Sequence, residues 1–189
     1  MKYDSIAEIV RLAEESGKNI SDLVIEEQAL SLETTQEEIF NRMKKALEVM
    51  KEAVLEGVDP DKRSASGLTG GSAYKMKKQV DGGRNICGKI FGEAMVKALA
   101  VSQTNACMGR IVAAPTAGSC GILPGALLTI MEDRGLDDDT VVKALFTASA
   151  FGMVIANNAS ISGAEGGCQA ECGSASAMAA AALVEMCGG

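Results

Sequence analysis

The sequence predicts an all-α (mainly α) fold, a compact helical domain with glycine-rich loops between its helices. Three observations lead there. Apolar residues make up 47 % of the 189-residue chain while aromatics are only 3 % and Trp is absent. A core of Ala, Val, Ile, Leu and Met follows, and small side chains let helices approach closely. Apolar positions also recur at helical spacing, and Ser, Thr, Asp and Gly stand where helices start and stop.

The elements follow in order. Asp4 or Ser5 caps a helix running through Ala13, and Gly17 ends it. Ser21 caps a second, shorter helix. Thr35 and Glu38 form a capping box ahead of Ile39, Met43, Ala46, Met50 and Val54, and Gly57 and Pro60 stop that run. Residues 64–71 (SASGLTGG) are a loop, and 88–107 an Ala-rich helix. Ile111 to Ala114 has the composition of a short strand, though four residues decide little. Residues 118–125 (GSCGILPG) form a second loop before a helix over 126–132. Asp139 caps a helix over 141–156, residues 163–167 open a third loop, and Ser174 caps a last helix over 175–187.

Composition changes near Pro60. Residues 1–63 hold 15 acids and 9 bases but only two of the 21 glycines, and no cysteine. The expected division is an acidic N-terminal helical segment, 1–63, and a glycine-rich catalytic region, 64–189.

Several function classes drop out. A net charge of −7 argues against nucleic acid, whose phosphates require clustered Lys and Arg. The N-terminus MKYDSIAEIV carries acids where a signal peptide needs an apolar stretch. No uninterrupted apolar run approaches the length of a membrane span, about 18 residues or more. A cytoplasmic location is expected, with the six cysteines reduced. Histidine is absent, which excludes Ser-His and Cys-His pairs and His-containing zinc sites within the chain.

Three loops combine glycine with hydroxyl or amide side chains: SGLTGGSAYK (66–75), APTAGSCGILPG (114–125) and NNASISGAEGGCQAEC (157–172). Glycine lets backbone N–H groups approach an anion, and hydroxyls add directional donors. A small carboxylate or phosphate suits them; tight turns between close-packed helices would use the same glycines. None matches a phosphate-binding fingerprint. Lys75, Lys77, Lys78, Arg84 and Lys89 follow the first loop; such a run usually forms only a solvated face, though Lys75 or Arg84 could meet a carboxylate. Cys168 and Cys172 are four apart, one helical face if helical, but the neighbouring glycines place the helix start after Cys172. Cys87, Cys107, Cys120 and Cys187 read as small apolar packing residues, and Cys172 leans the same way.

APTAGSCGILPGAL (114–127) and ANNASISGAEGGCQAECGSASAMAAAALVEM (156–186), with SGLTGG (66–71), closely resemble the α chain of the iron–sulfur-dependent bacterial L-serine dehydratases. The resemblance runs over essentially the whole chain. It implies conversion of L-serine to pyruvate and ammonia without pyridoxal phosphate. It implies a four-iron, four-sulfur cluster held by three cysteines, whose open iron acts as a Lewis acid on the serine hydroxyl. It also implies a β-chain partner. Cys168, the cysteine of G-C-Q, is the cluster ligand implied here. The family's other ligands lie in C-D-P and V-P-C motifs that do not occur in this sequence. Ser66, Thr69, Gly70, Gly71, Thr116, Asn158, Ser160 and Ser162 fall in loops expected to line the substrate site. The general base is not identified.

One thiolate cannot hold a cluster. The expectation is therefore a C-terminally truncated α chain, without a complete cluster and inactive alone, with Leu183 and Met186 exposed and a tendency to form homo-oligomers. Two other readings stand beside it: an iron–sulfur L-cysteine desulfidase, and a helical partner module without catalysis. Pyruvate against sulfide release separates the enzymes; in the module, replacing Thr116 or Ser162 alters stability alone.

Overall fold

The computed structural model describes residues 3–189. Among them there are eight α-helices, one 3-10 turn and no strand. The helices are α1 (Ile6–Ser16), α2 (Ile20–Ser31), α3 (Gln36–Gly57), α4 (Ser72–Asp81), α5 (Gly88–Ala106), α6 (Ile122–Arg134), α7 (Asp138–Asn158) and α8 (Gly163–Met186), with the 3-10 turn at Ala117–Ser119. The all-α expectation holds, and residues 111–114 form no strand.

The chain forms two compact units. The first joins Met1–Leu47 to Asp137–Gly189; the second is Glu48–Leu136. The compositional change near Pro60 falls inside the second unit.

In the first unit α7 packs against α8 and α2. Its core includes Ile9, Val24, Leu47, Val141, Val142 and Phe146, and Phe146 stacks on Phe40 with ring centroids 6.4 Å apart. By length and composition α7 is apolar enough to cross a membrane, and half of its most apolar stretch is buried inside the protein. Core packing accounts for such a composition.

Several helix ends follow local signals. Ser5 caps α1 by accepting the Glu8 N–H at 3.2 Å, and Gly17 closes the helix in the left-handed conformation. Thr35 accepts the Glu38 N–H at 3.1 Å, but the Glu38 carboxylate turns to Thr34 and Arg42 instead of closing the box. Other boundaries differ from expectation. α2 starts at Ile20 after Asn19, and Ser21 is fully buried rather than capping. α6 begins four residues early, at Ile122, with Pro124 in its first turn, where the missing N–H costs nothing. Asp137, two residues before the expected Asp139, caps α7, taking the Thr140 N–H at 2.8 Å.

Bonds from the Thr140 hydroxyl and N–H hold the Asp137 carboxyl below its ordinary range, with Lys44 adding to the effect. A lowered folded pKa stabilises above the unfolded value of about 3.9 and is lost as pH falls through the folded value. Asp137→Ala is therefore expected to flatten the acid limb of a stability-versus-pH curve below about pH 4. An unchanged limb would remove the cap from the explanation.

In the second unit α5 is central and packs against α4 and α6. Ala53 of α3, Val101 of α5 and Cys120 form a buried cluster flanked by Val54 and Ile111. The buried Thr104 hydroxyl donates to the Ala53 carbonyl at 2.8 Å. Small residues set the helix spacing: an added Cβ at Gly121 would lie 2.4 Å from the Ala98 carbonyl oxygen, and one at Gly125 would lie 2.8 Å from that of Ala94. Lys97 of α5 is 5 % exposed and pairs with Glu132 at 2.9 Å and Glu93 at 3.6 Å.

Candidate functional site

The SGLTGG loop closes on Ser64. The Ser64 N–H donates to the Thr69 carbonyl at 2.9 Å, and the Ser64 hydroxyl accepts the Thr69 N–H at 3.2 Å. Gly67 N–H donates to the Ser64 carbonyl at 2.8 Å, and the Ser64 and Ser66 hydroxyls are 3.1 Å apart. Gly70 then turns the chain at φ +147°, where an added Cβ would sit 2.3 Å from the Lys62 carbonyl oxygen. Only glycine fits there. Gly71 starts α4 with no side-chain cap, leaving first-turn N–H groups without a capping side chain.

Arg63 reaches this turn. Its Nη1 donates to the Pro60 and Lys62 carbonyls at 2.7 and 2.8 Å, and it would lie 3.4 Å from a Cβ at Gly71. A guanidinium beside a helix N-terminus is a favourable surrounding for a carboxylate. Nothing local in the sequence marks Arg63 for this position. Of the basic residues after the loop, Lys77 pairs with Asp81, Lys78 lies over Tyr74, and Arg84 donates to Gln79.

Thr116 precedes the 3-10 turn, its hydroxyl 3.2 Å from that of Ser119, which is 2 % exposed. The C-terminal end of α5 ties both loops. Ser72 donates to Gln103 Oε1 at 3.5 Å, Gln103 Nε2 donates to the Asp59 carbonyl at 3.4 Å, and Asn105 donates to the Ala117 carbonyl at 3.0 Å. The polar run Ser102-Gln103-Thr104-Asn105 at the end of an Ala-rich helix was the overlooked signal.

The third stretch lies in the first unit. Asn158 closes α7, donating to the Val154 and Asp4 carbonyls at 2.9 and 3.1 Å. The Ser160 hydroxyl accepts the Ser162 N–H, and the Ser162 hydroxyl caps α8 by accepting the Ala164 N–H, each at 3.2 Å. Here the expected loop over 163–167 is corrected, because α8 already starts at Gly163 and breaks only at Gly167, φ +70° and ψ −174°. Ser174 lies inside α8 and donates to the Ala170 carbonyl at 2.6 Å rather than capping.

Cys168 follows the break and is exposed, and Cys172 is exposed one turn later. The packing reading survives for Cys120, whose burial pushes its thiol up, and partly for the half-buried Cys107. It fails for Cys87, Cys172 and Cys187, which are exposed. At the end of α8 Met186 is buried and Leu183 half-buried, while Val184 is the exposed apolar residue.

The family model of the serine dehydratase alpha chain matches residues 15–189. The chain belongs to the serine dehydratase alpha chain family. It is 46 % identical over 187 residues to the "Probable L-serine dehydratase, alpha chain" of Bacillus subtilis (strain 168), covering 99 % of this chain and 62 % of that protein. It is 42 % identical over 182 residues to the "L-serine dehydratase, alpha chain" of Peptoniphilus asaccharolyticus, covering 96 % and 62 %. An "L-serine dehydratase" of Streptomyces coelicolor is 37 % identical over 189 residues, covering 96 % and 40 %. The chain thus spans about three-fifths of the length of the first two relatives.

The iron–sulfur cluster that the sequence resemblance implies needs several cysteine ligands. Among the described residues no three Cys, Asp or Glu side chains come together as a ligand group. Cys168 has only Cys172 one turn away, and residues 3–189 do not by themselves fit a cluster.

Proposed function

We propose that the chain is the α-chain portion of an L-serine dehydratase, an L-serine ammonia-lyase that works with a β chain and without pyridoxal phosphate. The 46 % identity over 187 residues to the Bacillus subtilis α chain carries this reading. The reaction removes the α-proton and the β-hydroxyl of L-serine as water, leaving 2-aminoacrylate. That enamine tautomerises to the imine and takes up water, releasing ammonia and pyruvate.

The chain's own contribution is to bind and orient. Gly70 and Gly71 open the N–H groups at the start of α4 to the serine carboxylate, with Arg63 beside them and Ser66 and Thr69 as hydroxyl partners. Thr116, held by Ser119, is a hydroxyl donor or acceptor for the substrate's polar groups. Asn158, Ser160 and Ser162 set the path of the chain into Cys168, the one position assigned here to the family's four-iron, four-sulfur cluster. The described residues do not hold that cluster by themselves. A reducing cytosol suits six cysteines that are all free thiols.

The test is an anaerobic assay of the assembled enzyme, α and β chains together, with L-serine and L-cysteine as alternatives. Pyruvate from L-serine is expected. Sulfide release from L-cysteine without serine turnover would overturn the assignment. In the same preparation Cys168→Ser is expected to lose most of its iron and acid-labile sulfide, whereas Cys172→Ser, equally exposed, keeps both. Equal losses would remove the distinction drawn for Cys168.

A further inference from the structure

We propose that Gln103 is a positioning residue for the serine carboxylate, a single buried amide that pins both ends of the segment 59–72 to α5. For its ligand the proposal rests on the dehydratase reading above. For its mechanism it rests on the geometry of the second unit alone.

Gln103 lies near the C-terminal end of α5, the central helix of that unit, and is 4 % exposed. Its neighbours on the helix are anchored. Val101 belongs to the buried cluster with Ala53 and Cys120, and the Thr104 hydroxyl donates to the Ala53 carbonyl at 2.8 Å. From this fixed base the side chain reaches in two directions. Its Oε1 accepts the hydroxyl of Ser72, the first residue of α4. Its Nε2 donates to the carbonyl of Asp59, where the chain has just left α3. Between those two ties run Arg63, Ser66, Thr69 and Gly70, the residues assigned to the carboxylate.

A buried amide is a costly way to fill space. Methionine has nearly the same length and far less to desolvate, so packing alone gives no reason for glutamine here. Nor do the two bonds add much stability, since at 3.5 and 3.4 Å both are longer than usual. Ser72 and Asp59 are exposed, so water takes the place of Gln103 at each when the amide is removed. What the amide supplies is a fixed spacing between the entry and the exit of the loop. That spacing sets the direction of the first-turn N–H groups of α4 and of the Arg63 guanidinium, and small displacements of such groups weaken substrate binding.

The test uses the chain alone and the assembled enzyme of α and β chains. Gln103→Met is expected to leave the Tm of the chain unchanged or raised. In the same variant the Ser64 and Thr69 amides, bonded within the loop, should exchange with deuterium at least tenfold faster by NMR. In the assembled enzyme KM for L-serine should rise at least tenfold while kcat moves less than threefold. Ser72→Ala removes one tie at an exposed position and should raise KM about threefold. Added to Gln103→Met it should change KM no further, because the two act through one bond. Asn105→Leu loses a donor to the Ala117 carbonyl instead, and should leave both amides exchanging as in the wild type.

A lowered Tm accompanying the raised KM would make Gln103 an ordinary packing residue and overturn the proposal. Wild-type exchange rates in Gln103→Met, or KM effects of Gln103→Met and Ser72→Ala that multiply, would overturn it too. An assembled enzyme that turns over no L-serine would sink the dehydratase reading, and the exchange rates then decide the pinning on their own.

Discussion

Gly57→Ala is expected to destabilise the second unit by about 3 kcal/mol, the upper range for forcing one extra methyl into a packed core. Gly57 ends α3 where it meets α5, and an added Cβ would lie 1.9 Å from the Ala100 carbonyl oxygen and 2.4 Å from its carbon. Both are backbone atoms, so no rotamer change relieves the overlap. α3 would have to lift off α5, stretching the Thr104 bond to Ala53 and opening the cluster around Val101 and Cys120. For a chain of this size the loss corresponds to a fall in Tm of about 8 °C, read by circular dichroism. Gly173→Ala is the control. An added Cβ there meets nothing within 4 Å on an exposed helical turn, so helix propensity alone predicts a gain of about 0.5–1 kcal/mol. Equal Tm values for the two variants would mean that α3 and α5 are not in backbone contact at this point.

Gly70→Ala is expected to lower kcat/KM for L-serine at least 100-fold in the assembled enzyme, an effect of the size that small displacements of positioning groups produce. The alanine Cβ would sit 2.3 Å from the Lys62 carbonyl oxygen and 2.6 Å from the Arg63 side chain. Relieving that overlap moves Arg63 and breaks the Ser64–Thr69 clasp, which displaces the guanidinium, the Thr69 hydroxyl and the α4 N–H groups proposed to receive the carboxylate. Most of the loss should therefore appear in KM. Gly67→Ala is the comparison, since Gly67 has a left-handed φ of +73° but open space around it; strain there costs on the order of 1 kcal/mol without displacing Arg63. If Gly70→Ala retained wild-type KM, the loop would not be the carboxylate site.

How far the sequence could be read depended on the range of the interaction. Ser5 and Gly17 were legible because their partners are at most four residues away. Ser174 is ambiguous in sequence because a serine hydroxyl that accepts a forward N–H at a cap can equally donate backward inside a helix, as it does to Ala170. Gly166-Gly167 read as a loop, although a single non-helical residue, Gly167, makes the turn and the helix resumes. Arg63 went unnoticed among the charged residues before the loop, since nothing local shows that its guanidinium turns back to Pro60.

By itself, then, the sequence determined the helical class, several helix ends and the family, the last through dense blocks such as NASISGAEGGCQ. Those features rest on hydrogen bonds spanning a few residues, or on an unbroken run of letters. The tertiary structure decided that the first unit is assembled from both ends of the chain, and that Gly57 lies on the backbone of Ala100. It also decided that a buried oxygen of Glu185 finds no donor among the described residues. Each of these depends on which distant segments meet, and on whether a polar atom finds a partner when they do. Spacing along a chain carries no information about either.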